Sequence, residues 1–445
     1  MATSLLLALA CTTTAQIPDR LSLVKIPTQG ATATKLEFMD VFTRGLEGYP
    51  DFRWPHITRI PAKGSPGGGP FAGSTETLLA LASGCNATQV CSSAHPWPCC
   101  YDEDEQMLML RRSVDGGKSW SRLTYPYLQP QGKGAWPFPK NWKAGGQMLW
   151  DPKGGRVWLF FGTEQAHDGV GHGCVGDGQT MEGMMLTHST DLGLSWAKPL
   201  NISTAIAPQW GSSLCLAPAG GNSMLMLDND GPADERTLLL LVQIPGTVPG
   251  PKPPHGDLTI HVTSLPNGPH DTIADLQFNL TLSLTQPCTE NGKSCDFDEA
   301  AMALLPVTAT SAETVFVIRR SDPALTHSFA TATSTDGGRS FGPPSFEPEL
   351  FSVACEPSAV AVPPGSGGTG GLFVAAPHMG HKQIPSGTKF QDRSNMTVMV
   401  SGANGGKAGG HWEVLRSVYE GPSMYSNMAD GGDGYLLLFF ERAGA

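Results

Sequence analysis

Residues 113–120 read SVDGGKSW, and the same eight-residue design returns as STDLGLSW at 189–196 and STDGGRSF at 334–341. A degraded copy, SGANGGKAGGHW, begins at Ser401 with Asn404 where the acid should stand. The starts lie 76, 145 and 67 residues apart, and 145 is close to twice the other two, so an unmarked repeat is expected between the second and third copies. Each copy follows an apolar, strand-like run: QMLMLRR, MMLTH, FATAT and MTVMV. The turn has a physical logic. Asp accepts backbone N–H bonds inside the loop, Gly permits positive φ, and the closing aromatic packs down between neighbouring sheets. A period near seventy residues suits one four-stranded antiparallel blade. The chain therefore reads as all-β, a six-bladed β-propeller, whose radial closure leaves few long exposed edges.

Composition agrees. The 445 residues include 54 glycines and 37 prolines but only 16% charged side chains, which fits many short strands joined by tight turns. The net charge of −11 argues against nucleic acid as a partner, because no basic surface is concentrated enough to neutralise phosphates. No run of eighteen apolar residues follows the N-terminus, so no membrane span is expected. The opening MATSLLLALACTTTAQ reads as a signal peptide over residues 1–15, leaving residues 16–445 as a single propeller domain. Sequons at Asn86, Asn201, Asn279 and Asn395 fit the same secretory route. So do the cysteines: Cys85, Cys91, Cys99 and Cys100 crowd one insertion, and Cys288 and Cys295 bracket a short loop, as disulfide staples do. Removing Cys11 with the signal leaves nine, so at least one thiol is left over. No metal pattern accompanies these cysteines, and no cofactor motif is complete: GGPFAGST at 68–75 lacks a phosphate-loop lysine, and DNDGPADE at 228–235 lacks a calcium loop's terminal ligand.

The Ser/Thr-x-Asp-x-Gly-x-Ser/Thr-Trp/Phe turn resembles the Asp-box of sialidases, and further segments resemble that family in family order. In the family these turns sit away from the active face, which makes Asp115, Asp191 and Asp336 structural. On the opposite face, ITRIPA at 57–62 resembles the Tyr/Phe-Arg-Ile-Pro signature and nominates Arg59. TVFVIRRSD at 314–322 nominates Arg320, and QDRSNMTVMVS at 391–401 nominates Arg393, as the second and third arginines. Three guanidiniums converging on the axis suit a single carboxylate, since each offers a planar fork of donors and keeps its charge. EGPSMYSNM at 420–428 resembles the segment that carries the nucleophile, making it Tyr425; DFDEAAMALLP at 296–306 offers Glu299 as its base, with Asp298 and Asp296 nearby. Counting back nine from Arg111, as the family spacing implies, lands on Asp102 as general acid, with Asp104 in reserve. YLLLFFERAGA at 435–445 resembles the family's terminal segment, so that Glu441 is expected to hold Arg59 through a buried ion pair.

The resemblance implies an exo-α-sialidase that removes terminal sialic acids from glycoproteins, glycolipids or oligosaccharides, with no cofactor. Sialidases are a known exception among glycosidases in using a tyrosine nucleophile. Charge gives the reason. Sialic acid carries a carboxylate on its anomeric carbon, and an attacking Asp or Glu at about 4 Å would be repelled by about 4 kcal/mol at an effective dielectric of 20. A neutral tyrosine avoids this if a base takes its proton. Two alternatives stand beside the exo-α-sialidase. One is a lectin-like propeller that binds without cleaving, which loss of Tyr425, Glu299 or Asp102 would favour, although all three are present. The other is a trans-sialidase, which uses the same residues, or a hydrolase of a related nonulosonic acid. The sequence departs from the family at LLALASGC, 78–85, where Ser83 and Cys85 stand in place of an acid and an additional arginine.

Overall fold

The computed structural model describes residues 18–29, 35–85, 106–126, 142–165, 174–175, 183–202, 214–215, 217–218, 220–228, 236–244, 256–266, 276–282, 289–290, 293–294, 297–305, 314–321, 328–351, 355–363, 370–378, 393–401 and 411–443. The expected signal segment, Asp102, Asp104, Asn86 and the cysteines at 91, 99, 100, 288 and 295 lie outside them.

Every regular element of the described chain is a β-strand apart from one 3-10 turn at Leu46–Gly48. The strands form six antiparallel blades. Blade 1 contains Phe52–Ile60, Thr77–Cys85 and Gln106–Ser113, with Thr124 bridging Leu110 at its outer edge. Blade 2 is Trp142–Asp151, Arg156–Gln165, Gly183–Ser189 and Leu200–Asn201. Blade 3 is Met224–Asp228, Arg236–Ile244, Gly256–Thr263 and Gln277–Leu282. Blade 4 is Phe297–Leu305, Thr314–Ser321, Ser328–Ser334 and Ser345–Phe351.

Blades 5 and 6 share one long strand, Trp412–Gly432. Up to Pro422 it pairs with Ser394–Ser401, behind Gly371–Pro377 and Ser358–Val362, as the outer strand of blade 5. From Ser423 onward it pairs with Tyr435–Ala443 and becomes the inner strand of blade 6. That blade is completed by Pro18–Pro27 and Phe38–Thr43, so the two ends of the chain are stitched into one sheet. The inner strands of blades 1 to 6 touch in succession and close back on blade 1.

The closure is visible in the core. Successive residues of a strand point to opposite faces, so each sheet feeds two interfaces. Leu78, Ala80 and Ala82 pack towards Phe439 and Leu437 of blade 6, whereas Leu79 and Leu81 pack towards Leu159 and Phe161 of blade 2. Separate apolar clusters fill the junctions of blades 2 with 3, 3 with 4, 4 with 5 and 5 with 6.

The three intact eight-residue turns close blades 1, 2 and 4 with one geometry. In the first, Ser113 Oγ donates to Asp115 Oδ1 at 2.8 Å, and Asp115 accepts the Ser119 N–H at 2.9 Å and the Ser119 hydroxyl at 2.5 Å. Asp191 and Asp336 repeat this with Ser195 and Ser340. Gly117, Gly193 and Gly338 each have φ above +80°, a conformation that glycine supplies without steric cost. The aromatics enter the interblade cores, Trp120 between blades 6 and 1 and Trp196 between blades 1 and 2. The long interval between the second and third turns is occupied by blade 3.

Candidate active site

Strand register defines the two ends of blade 1. Ser113, which opens the first box, pairs with Leu78, and Leu78 pairs with Arg59. Arg59 is therefore level with the box. At the other end Arg53 pairs with Ser83, and Cys85 pairs with Gln106, where the third strand begins. The two arginines are six positions apart on the strand, at most about 20 Å at the usual rise.

Chemistry gathers at the Arg53 end, on the axis. Tyr425 sits on the inner strand of blade 6, and its hydroxyl donates to Glu299 Oε1 at 3.4 Å, across the axis from blade 4. Glu299 reaches it because of a bulge. Asp298 pairs with Arg320 and Ala300 with Arg319, so Glu299 is the extra residue between two ladder pairs, with φ of 48°. Bulges of this kind re-aim a side chain, and a left-handed backbone at a glutamate is held only where the surroundings fix it. Two guanidiniums lie against the tyrosine: the ring centroid is 5.3 Å from Cζ of Arg53 and 5.4 Å from Cζ of Arg393. Both arginines are buried, and so is Tyr425.

The expected pairing of Glu441 with Arg59 is corrected by this geometry. Glu441 faces Arg53, with Oε1 at 3.9 Å from Nε, and the same oxygen accepts the Trp54 N–H at 3.1 Å. Arg59 instead pairs with Glu76 at 2.5 Å, at the box end, beside Gly432. The sequence does hold the signal for Arg53. Phe52-Arg53-Trp54-Pro55 has the aromatic that Tyr/Phe-Arg-Ile-Pro requires before its arginine, whereas Arg59 is preceded by Thr58. Trp in place of Ile concealed it.

Arg320 holds a backbone place directly beside the Glu299 bulge; its side chain lies outside the described residues. Asp102 also lies outside them, and the strand it precedes starts at the Arg53 end. Cys355, Asp51 and Asn427 belong to the site without having been nominated. Cys355, a free buried thiol, packs with Met424, Tyr425 and Trp54. Burial pushes this thiol up to about 12, so it is neutral beside the tyrosine at ordinary pH. Asp51, beside Arg53 in sequence, accepts the Phe52 N–H at 2.9 Å and meets Arg44 Nη2 at 3.5 Å. Burial lifts Asp51 to about 6 against the pull of Arg44. Burial likewise lifts Glu441 to about 7, against the pull of Arg53 and the Trp54 N–H.

Asn427 ties the floor together two residues beyond Tyr425. Its Oδ1 accepts the Ile57 N–H at 3.0 Å from blade 1, and its Nδ2 donates to the Gly221 carbonyl at 3.2 Å. Among the described residues no three His, Cys, Asp or Glu side chains are placed to hold a metal, and no helix is long and apolar enough to cross a membrane.

Solved structures with this architecture include a Hadza microbial sialidase, Hz136, at TM-score 0.57 and 17% identity, covering 88% of this chain and 65% of that one. The chain has a sialidase-like propeller fold. The intramolecular trans-sialidase of Ruminococcus gnavus, solved with oseltamivir carboxylate, aligns at TM-score 0.53 and 13% identity, over 89% of this chain and 91% of that one. The NanB sialidase of Streptococcus pneumoniae aligns at TM-score 0.51 and 12% identity, over 88% and 65%. The sialidase-like chain thus spans about two-thirds of the length of Hz136 and NanB. No protein-family model and no curated protein matches the sequence.

Proposed function

We propose that this protein is an exo-α-sialidase that hydrolyses terminal α-linked sialic acids with retention of configuration. The observation that carries the reading is the Tyr425 hydroxyl facing the Glu299 carboxylate at 3.4 Å with two guanidiniums against the ring. The distance is at the long end of the hydrogen-bond range, as catalytic contacts often are before substrate tightens them.

In the proposed reaction Arg53, Arg320 and Arg393 bind the substrate carboxylate, with Arg53 taking the role first expected of Arg59. Asp102 gives its proton to the glycosidic oxygen as the bond to the anomeric carbon breaks. The Tyr425 oxygen forms a bond to that carbon, and its proton passes to Glu299. Asp102, now a carboxylate, takes a proton from water; the water oxygen attacks the anomeric carbon, and the departing tyrosine recovers its proton from Glu299. Buried arginines also favour the tyrosinate character that develops during attack. The substrates proposed are sialylated glycoproteins, glycolipids and oligosaccharides. The site of action is the secretory pathway or beyond, in keeping with the N-terminal segment, the sequons and the cysteine-rich insertion.

The test is release of a fluorogenic leaving group from an α-sialoside. Turnover by wild type that collapses in Tyr425→Phe, with free sialic acid as product, supports the reading. A folded wild type that binds sialic acid without turnover moves it to the lectin class, and transfer of the sugar to an added glycan moves it to a trans-sialidase.

A further inference from the structure

Trp54 has a backbone that its side chain would ordinarily refuse. Its φ is +53°, left-handed for a bulky aromatic, at the register shift between Arg53 and His56. Such a conformation persists where surrounding contacts over-determine it. Here the backbone N–H donates to Glu441 Oε1 at 3.1 Å. The ring lies 5.6 Å from Arg53 Cζ, within cation–π reach. The indole packs against Cys355, Met424 and Tyr425 and rests over Gly145 of the neighbouring blade, where an added Cβ would stand 3.4 Å from it. One residue therefore touches both partners of a long, buried ion pair, since Arg53 Nε and Glu441 Oε1 are 3.9 Å apart.

The geometry points to Trp54 as a positioning residue for carboxylate recognition: its N–H and its ring together fix how Arg53 sits between Glu441 and Tyr425. This rests on the reading of Arg53 as a substrate-carboxylate ligand. A buried arginine and glutamate left to themselves tend towards a close, bidentate pair, because short charge-assisted contacts offset their desolvation. Trp54 opposes that collapse from two sides. Its N–H occupies the glutamate oxygen that faces the arginine, and its ring holds the guanidinium face. The orientation that meets a ligand carboxylate is then built before the ligand arrives, which lowers the reorganisation cost of binding.

The experiment uses the full chain and the variants Trp54→Gly, Trp54→Asn and Trp54→Phe. Gly and Asn tolerate the left-handed backbone and delete the ring, whereas Phe keeps an aromatic face. The probe is 2,3-dehydro-2-deoxy sialic acid, with its Kd read by calorimetry, alongside KM and kcat on the fluorogenic α-sialoside. In Gly and Asn, Kd and KM are expected to rise about 10-fold while kcat stays within about 3-fold, the scale of a desolvated cation–π contact. Phe is expected to recover most of the loss. Wild-type Kd in both Gly and Asn overturns the inference, as does a loss confined to kcat, or one equal in Phe. Folded wild type that binds the probe but does not turn over, with binding lost in Gly, sinks the hydrolase reading and leaves Trp54 in its role. Failure of folded wild type to bind the probe overturns both.

Discussion

Tyr425 and Glu299 come from blades that are not neighbours, the sixth and the fourth, and still bring hydroxyl and carboxylate to 3.4 Å. Sequence separation of 126 residues is erased by the ring, and a one-residue bulge does the final aiming. Glu299→Gln keeps the shape and removes the base. It is expected to lower kcat by about 10²–10⁴-fold, the usual contribution of a general base, with an unchanged melting temperature. An active Glu299→Gln enzyme would place the base elsewhere.

Arg53 and Arg59 lie on one strand and are predicted to behave oppositely. Arg53→Lys replaces a planar fork by a point charge at a buried site. A charged hydrogen bond is worth about 1.5–3 kcal/mol, so KM is expected to rise about 10–100-fold. Arg59→Lys disturbs only a partly exposed pair with Glu76, worth about 0–1 kcal/mol, and leaves KM within about 2-fold. Steady-state kinetics on the two variants decide it; the reverse pattern would restore Arg59 as the ligand.

The contrast between these arginines shows what a linear pattern can carry. The boxes were legible because a tight turn is local: Ser113, Asp115, Gly117 and Ser119 bond one another within a few residues, so the chemistry is written contiguously. Tyr425 was legible for a similar reason, lying in a distinctive segment where one strand crosses from blade 5 to blade 6. Arg59 and Arg53 each match three of the four positions of Tyr/Phe-Arg-Ile-Pro, and register decides which end of a strand a side chain occupies. That register depends on a left-handed Trp54 that no spacing announces. Cys355 and Asp51 were illegible for another reason: a lone thiol and a lone acid have no pattern, and only burial beside Tyr425 and Arg53 gives them a role.

The boxes themselves are predicted to matter for stability alone. Although partial burial pushes Asp336 up, hydrogen bonds from Ser334, Ser340 and the Arg339 N–H hold it below its ordinary value. Asp336→Ala removes acceptors for two N–H groups and two hydroxyls in a turn that solvent reaches. About 1 kcal/mol is expected after discounting for that solvent, a drop of about 1 °C in Tm for a domain of this size. Activity per folded molecule should be that of wild type. A kcat loss at a temperature where the variant is fully folded would mean that the turn reaches the active face.

Glu441 gives the molecule a pH-dependence of defined sign. Its carboxyl titrates near 7 when folded, lifted by burial, against 4.5 ordinarily. Between those values the folded state holds more protons than the unfolded one, so this group's contribution falls as pH rises. The contribution is fully present below about 4.5 and is lost as pH passes through 7, by on the order of 3 kcal/mol. Asp51 acts in the same direction between its ordinary value and about 6. His56 acts in the opposite direction. Burial holds its imidazole down at about 4, so its contribution is present above 6.5 and lost as pH falls towards 4. Wild type alone would blend these trends, whereas the difference between wild type and Glu441→Gln isolates one of them. The Tm of wild type relative to that of Glu441→Gln should fall steadily from pH 5 to pH 8, because only wild type must ionise a buried carboxyl. A relative Tm that rises over that range would mean that Arg53 and the Trp54 N–H outweigh burial, and that Glu441 is a carboxylate throughout.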